Sequence, residues 1–197
     1  MIHENNTLKK RGLINLPNVL TLARILIIPL VVVFLFFPGK LWSFFAALSF
    51  LIASLTDLLD GFFARRYNTV TSLGKLLDPI ADKLLIASTL VMLIPLREIP
   101  AWIVAIIIGR EIAVSGLRGV ATANGMVVET SWLGKRKTFF QMASLFCLLI
   151  HYTYLGINFH ILGMIFLWIA MFLTIGSGLD YFYKFINNLI TDHRTIE

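Results

Sequence analysis

Charge is what this chain has least of. Only 14% of its 197 residues are Asp, Glu, Lys or Arg, and the acidic ones number 11. A soluble domain carries about a quarter. A water-solvated globule is therefore excluded, and so is a disordered chain, which needs many charges and few apolar groups. Cysteine is nearly missing as well. Cys147 stands alone in an apolar run, which rules out a disulfide framework and reads as a buried thiol. Internal repeats, low-complexity tracts and a cleavable signal pattern are absent too: the first eleven residues are polar and basic, and the first apolar run is long enough to span a bilayer.

What fills the sequence instead is apolar: 58% of residues are hydrophobic and 13% aromatic, with mean hydropathy +0.83. A membrane-spanning helix takes about 20 mainly apolar residues. Six such runs occur, at 18–37, 42–64, 75–96, 99–121, 136–155 and 159–187, with the last expected to emerge from the membrane. Pro38-Gly39 ends the first, Pro100 opens the fourth and Gly156 divides the fifth from the sixth. The pattern predicts an all-α integral membrane protein with six transmembrane helices. It predicts one domain over 1–197, in which 1–14 is a polar N-terminal segment.

The net charge of +6 could suggest nucleic acid, but its distribution points elsewhere. With an even number of spans both termini share a side. Of the 17 Lys and Arg residues, all but Lys40 and Arg97 fall on that side, which marks it as cytoplasmic. The basic excess is thus read as topology and attraction to anionic headgroups, and no nucleic-acid partner is expected.

Against this apolar background Asp57, Asp60, Asp78 and Asp82 crowd into 26 residues. Carboxylates at membrane depth are costly and are kept for a partner or a function. Topology puts them at the cytoplasmic ends of the second and third spans. Asp57 and Asp60 are spaced i,i+3, and Asp78 and Asp82 i,i+4, so each pair shares a helix face. A short connection makes the two spans antiparallel neighbours, and both pairs can face one cavity. Four bare carboxylates would repel one another in low dielectric, and the C-terminal end of the second helix disfavours its two. An all-oxygen set of this kind suits a hard cation such as Mg²⁺, Mn²⁺ or Ca²⁺ rather than zinc. An ion pathway, a proton relay, or structural pairs with Arg65, Arg66 or Lys83 would use the same acids. Gly61 and Ala64 leave room beside them, for a large ligand or for close helix packing. Arg65 adds a cation suited to phosphate, and Gly74 and Pro79 open the third helix.

The run Asp57-Leu-Leu-Asp60-Gly61-Phe-Phe-Ala64-Arg65, followed by Gly74, Asp78 and Asp82 at their present spacing, resembles the full signature of the CDP-alcohol phosphatidyltransferase family. Four further stretches resemble the branch that makes phosphatidylglycerophosphate: 16–24, 109–118, 134–138 with Gln141, and 177–181. The resemblance implies transfer of a phosphatidyl group from CDP-diacylglycerol to sn-glycerol 3-phosphate, with release of CMP, at the cytoplasmic side of a bacterial cytoplasmic membrane. Phosphatidylglycerol, inositol phosphate or serine as acceptor would keep the same chemistry, and a divalent-cation transporter is the rival from another class.

The resemblance further implies that Asp57, Asp60 and Asp78 bind Mg²⁺ or Mn²⁺. Asp82 is the expected general base and also borders the metal. Asp57, Gly61, Ala64, Arg65, Thr71 and Gly74 are assigned to the CDP-lipid, with Asn18 and Thr21 reaching the nucleotide. Arg110 and Arg118, eight apart on one helix and so on one face, bind the acceptor phosphate together with Lys135. A homodimer is expected. Blander readings attach to the rest. Arg110 can pair with Glu111, Lys135, Arg136 and Lys137 can form a headgroup cluster, and Lys83 can balance the acids. His151 and His160 read as interfacial, Trp42, Trp102 and Trp132 as aromatic-belt residues, and Arg97 and Glu98 as an exposed outer loop.

Overall fold

The computed structural model describes residues 16–67, 72–96, 98–123, 132–154 and 156–194, with side chains described outside 16–18, 57–76 and 189–194. Six α-helices account for nearly all of it: α1 (Leu16–Leu35), α2 (Lys40–Tyr67), α3 (Ser72–Leu93), α4 (Ala101–Ala123), α5 (Trp132–Ile150) and α6 (Phe159–Arg194). Each falls on one of the six apolar runs. Where they stop follows local chemistry. Gly39 takes φ +123° between α1 and α2, a conformation only glycine holds without strain. Its carbonyl accepts from Ser43 N at 3.1 Å. Asn158 caps α6, its Oδ1 accepting from Ile161 N at 3.1 Å.

The fifth helix differs from its expected span. It ends at Ile150, not 155, and the chain forms a small antiparallel hairpin, β1 (Thr153–Tyr154) against β2 (Ile157–Asn158). Gly156 makes the reversal at φ +80°, and the flanking Thr, Tyr and Ile are strand formers. The sixth helix runs on to Arg194, past the expected 187.

The helices close a ring in the spatial order α1, α2, α5, α6, α4, α3 and back to α1, with α3 also touching α5. The short α2–α3 connection therefore does not make those two the principal neighbours. They do touch, but α1 packs extensively against both. The core is apolar, with Phe50, Leu85, Leu90, Ile103, Ile107, Leu145, Leu148 and Leu167 fully buried. The tightest seam is α5 on α6. There a β-carbon on Gly163 would stand 2.7 Å from Leu148 Cγ, and Ser144 Oγ donates to the Gly163 carbonyl at 2.9 Å. Burying large apolar groups inside does not leave a polar outside. Leu26, Phe36, Ile112, Phe139, Phe172 and Leu179 are all more than three-fifths exposed, far more apolar surface than a water-soluble monomer shows. The Phe159–Asn188 segment of α6 is long and apolar enough to cross a membrane.

At the end of the molecule that carries the hairpin, Glu98 is not the freely exposed group the sequence suggests. It is half-buried, and its Oε2 lies 2.6 Å from His160 Nδ1. Trp102 meets Trp168 edge-on there, ring centroids 5.6 Å apart.

Candidate active site

Polar side chains gather inside the ring, where α3, α4, α5 and α6 enclose a cavity of about 720 Å³. Helical periodicity decides which groups reach it. On α3, Asp78 and Asp82 are one turn apart and both line the cavity; on α4, Arg110 and Arg118 do the same two turns apart. Lys135 and Lys137 enter from the start of α5, and Ser177 and Tyr181 from α6. Residues far apart in sequence thus share one space, with two carboxylates on one wall and a group of cations opposite. The deeper lining, Leu90, Ile107 and Ile108 among it, is apolar, while Arg118 and Lys135 are exposed and Asp82 is partly so.

The carboxylates are held from behind by α1. Thr21, fully buried, donates its hydroxyl to Asp78 Oδ1. Arg24, also fully buried, places Nη1 2.6 Å from Asp82 Oδ1, while the Asp82 side chain remains 37% exposed. Both side chains pack against α3 from α1. A buried guanidinium is tolerated only with a partner of opposite charge, and α3 supplies it 58 residues further along the chain.

The cations are held differently. Arg110 Nη2 donates to Ser177 Oγ at 2.9 Å, and its Nη1 stands 3.9 Å from Glu111 Oε2, so the pairing with Glu111 is the looser of the two. Glu111 is committed to Lys137, which is 95% buried (5% exposed). Lys83 donates to Ser115 on α4 rather than to either described aspartate. The three consecutive basic residues of α5 separate by direction, as 100° per residue requires. Lys135 is exposed at the cavity mouth, Arg136 stacks over Trp132 with its guanidinium carbon 3.4 Å from the ring centroid, and Lys137 turns inward. They do not form one headgroup cluster.

Of the residues singled out from sequence, Asp78, Asp82, Arg110, Arg118 and Lys135 share the cavity. Asp57 and Asp60 lie on α2 and Asn18 on α1, with their side chains outside those described. Gly61, Ala64 and Arg65 follow on α2 and Gly74 on α3, likewise without described surroundings, and Thr71 lies outside the described residues. Among the described residues no three His, Cys, Asp or Glu side chains stand together as a metal cage. The donor chemistry still fits a hard cation. Asp78 and Asp82 offer oxygen only, and the described cavity lining contains neither His nor Cys. From sequence Arg24 carried no task of its own and Lys137 only a place in a headgroup cluster. The signal for Lys137 was present: it stands i,i+4 from Gln141, which is also buried.

An all-helical bundle with an apolar exterior and an acid-and-cation cavity has a match among known families. Residues 14–176 match the model of the CDP-alcohol phosphatidyltransferases, and the chain belongs to that family. Within it, the chain is 42% identical over 186 residues to the CDP-diacylglycerol–glycerol-3-phosphate 3-phosphatidyltransferase of Bacillus subtilis, covering 86% of this chain and 94% of that protein. It is 45% identical over 169 residues to the protein of the same name from Rickettsia felis, covering 85% and 93%. Its identity to the Wigglesworthia glossinidia brevipalpis protein of that name is 37% over 175 residues, covering 86% and 94%.

Proposed function

We propose that this chain is a multi-pass membrane enzyme that transfers the phosphatidyl group of CDP-diacylglycerol to sn-glycerol 3-phosphate, giving phosphatidylglycerophosphate and CMP. The names of its relatives support the donor and acceptor. The observation that carries the reading is the single cavity in which Asp78 and Asp82 meet Arg110, Arg118 and Lys135. An acceptor that is both an alcohol and a phosphate monoester needs a base at one end and cations at the other, and this cavity offers both.

In the reaction the acceptor's primary hydroxyl attacks the lipid-side phosphorus of the donor. The new P–O bond forms as the bond to CMP breaks, and the hydroxyl proton passes to Asp82 as general base. Arg24 fixes the orientation of that carboxylate. Arg110, Arg118 and Lys135 bind the acceptor phosphate, with the guanidinium forks suited to its oxygens. The CDP moiety is assigned to Asn18, Thr21, Asp57, Gly61, Ala64, Arg65, Thr71 and Gly74. Asp57, Asp60 and Asp78 would hold Mg²⁺ or Mn²⁺, with Asp82 at its edge. When bound, the ion supplies neutralisation of the charge that develops on the departing CMP.

The apolar exterior supports six membrane-spanning helices with acyl chains outside them, and the Lys and Arg bias supports both termini and the site on the cytoplasmic side. Residence in a bacterial cytoplasmic membrane and a homodimeric state belong to the same proposal.

An acceptor panel tests it. Purified protein in vesicles is given CDP-diacylglycerol with glycerol 3-phosphate, phosphatidylglycerol, inositol phosphate or serine, with and without Mg²⁺ or Mn²⁺. CMP release is expected only with glycerol 3-phosphate and metal. Equal release with all four acceptors would sink the acceptor assignment. Metal flux without CMP would instead identify a transporter.

A further inference from the structure

The segment 177–181 of α6 has no part in the chemistry above, yet three of its residues touch the two cavity arginines. Ser177, 2% exposed, accepts from Arg110 Nη2 at 2.9 Å. Its own proton is already used, donated one turn back to Leu173 O at 2.6 Å, so the lone pairs that remain have a fixed direction. Gly178 lies against the shaft of the same arginine. A β-carbon there would stand 3.1 Å from Arg110 Cγ and 3.2 Å from Nε, tighter than a side chain accepts without moving. Tyr181, 3% exposed, sets its ring 5.8 Å from the Arg118 guanidinium carbon, a cation–π distance. Ser177 and Tyr181 are i,i+4 and share one face, which here is turned to α4.

An arginine is long and turns about many bonds. Immobilising it on ligand binding costs affinity, and fixing it beforehand removes that cost. Neutral partners fix a guanidinium without cancelling its charge. We propose that Ser177, Gly178 and Tyr181 are positioning residues that hold Arg110 and Arg118 in place for the phosphate of the acceptor and so set selectivity for a phosphate-bearing alcohol. This rests on the reading of the cavity as the acceptor site. The competing interpretation is that the segment only packs α6 on α4, which would affect folding and all substrates alike.

Steady-state kinetics of the full chain in CDP-diacylglycerol vesicles separates the two. Gly178→Ala displaces Arg110 while adding a better helix former, and Ser177→Ala removes one charge-assisted hydrogen bond. Each should raise KM for glycerol 3-phosphate by about tenfold. KM for CDP-diacylglycerol, kcat and the melting temperature should stay near wild type. Ser177→Thr, which keeps the hydroxyl, should restore the acceptor KM. An unchanged acceptor KM in both alanine variants overturns the proposal. So does a joint change in both KM values and kcat with a lowered melting temperature. Wild-type protein that releases no CMP with glycerol 3-phosphate would remove the functional reading itself, and this inference with it. An active wild type with an unmoved KM overturns only the inference.

Discussion

On the α3 wall of the cavity, Asp78 and Asp82 are both met by α1, which offers Asp78 a hydroxyl and Asp82 a fully buried guanidinium. On the facing wall, the cations of α4 and α5 take their partners from two places. Arg110 and Arg118 rest on the neutral Ser177 and Tyr181 of α6, and Lys137 takes the one carboxylate, Glu111. The charge on Asp82 is therefore balanced locally and the carboxylate is aimed, which suits a short proton transfer. The charge on Arg110 is met only loosely, by Glu111 at 3.9 Å, and Arg118 rests on a neutral ring, which suits capture of an anion from some distance. The two walls divide direction from attraction, and substitutions in each should damage different kinetic constants.

The largest break is Asp82→Asn. It keeps the shape of the side chain and removes the proton acceptor. Loss of general-base catalysis costs about 10²–10⁴ in rate, so kcat for CMP release should fall by that range while CDP-diacylglycerol still binds the vesicle-bound protein. Turnover at the wild-type level would refute the base assignment and leave metal binding by Asp78 as the task of the α3 wall.

The opposite wall should respond in KM. Arg118→Ala or Lys135→Ala each removes a charged hydrogen-bonding partner of the acceptor phosphate, worth about 1.5–3 kcal/mol. That corresponds to a rise of about 10- to 100-fold in KM for glycerol 3-phosphate, with kcat little changed. Because Lys135 lies exposed at the mouth, its contribution should shrink as salt is added, through screening. The Lys135→Ala variant should therefore show a flatter dependence of KM on ionic strength than wild type. A fall in kcat with a steady KM would mean that the walls do not divide the work in this way.

How far the sequence showed this depended on separation along the chain. The six helices were legible because run length and breakers such as Pro38-Gly39 act locally. The pairing of Asp78 with Asp82 was legible because i,i+4 spacing fixes a helix face. The partners of those groups were not. Arg24 looks like any other residue of the positive side until the fold sets it against Asp82, 58 residues away. Ser177 and Gly178 could be noted as a pattern but given no task, since the arginine they hold is 67 residues earlier in the Ser177 pair. The early end of α5 was hidden for another reason: Tyr152 and Tyr154 are apolar enough to prolong the hydrophobic run, and periodicity cannot separate a short strand from the end of a helix. The neighbour order of the helices was also beyond a reading from loop length, because a short loop limits distance without requiring extensive contact.

The smallest of these effects tests whether α1 tunes the acid wall or only packs against it. Thr21 is fully buried and gives its one hydroxyl proton to Asp78, a proposed metal ligand. Thr21→Val removes that donor at nearly constant volume. The carboxylate then loses its orienting bond and is free to rotate about its terminal torsion. Changes to groups that orient metal ligands typically cost about 10- to 100-fold in metal affinity. Asp78 would be only one of three ligands, so the lower end is expected: a shift of about tenfold in the Mn²⁺ concentration giving half-maximal binding. Binding can be followed by electron paramagnetic resonance of free Mn²⁺, without turnover. Thr21→Ser keeps the hydroxyl and should titrate like wild type, although its missing methyl will lower the melting temperature. If Thr21→Val and Thr21→Ser bind Mn²⁺ equally well and differ only in stability, the hydrogen bond serves packing, and α1 orients the acid wall through Arg24 rather than Thr21.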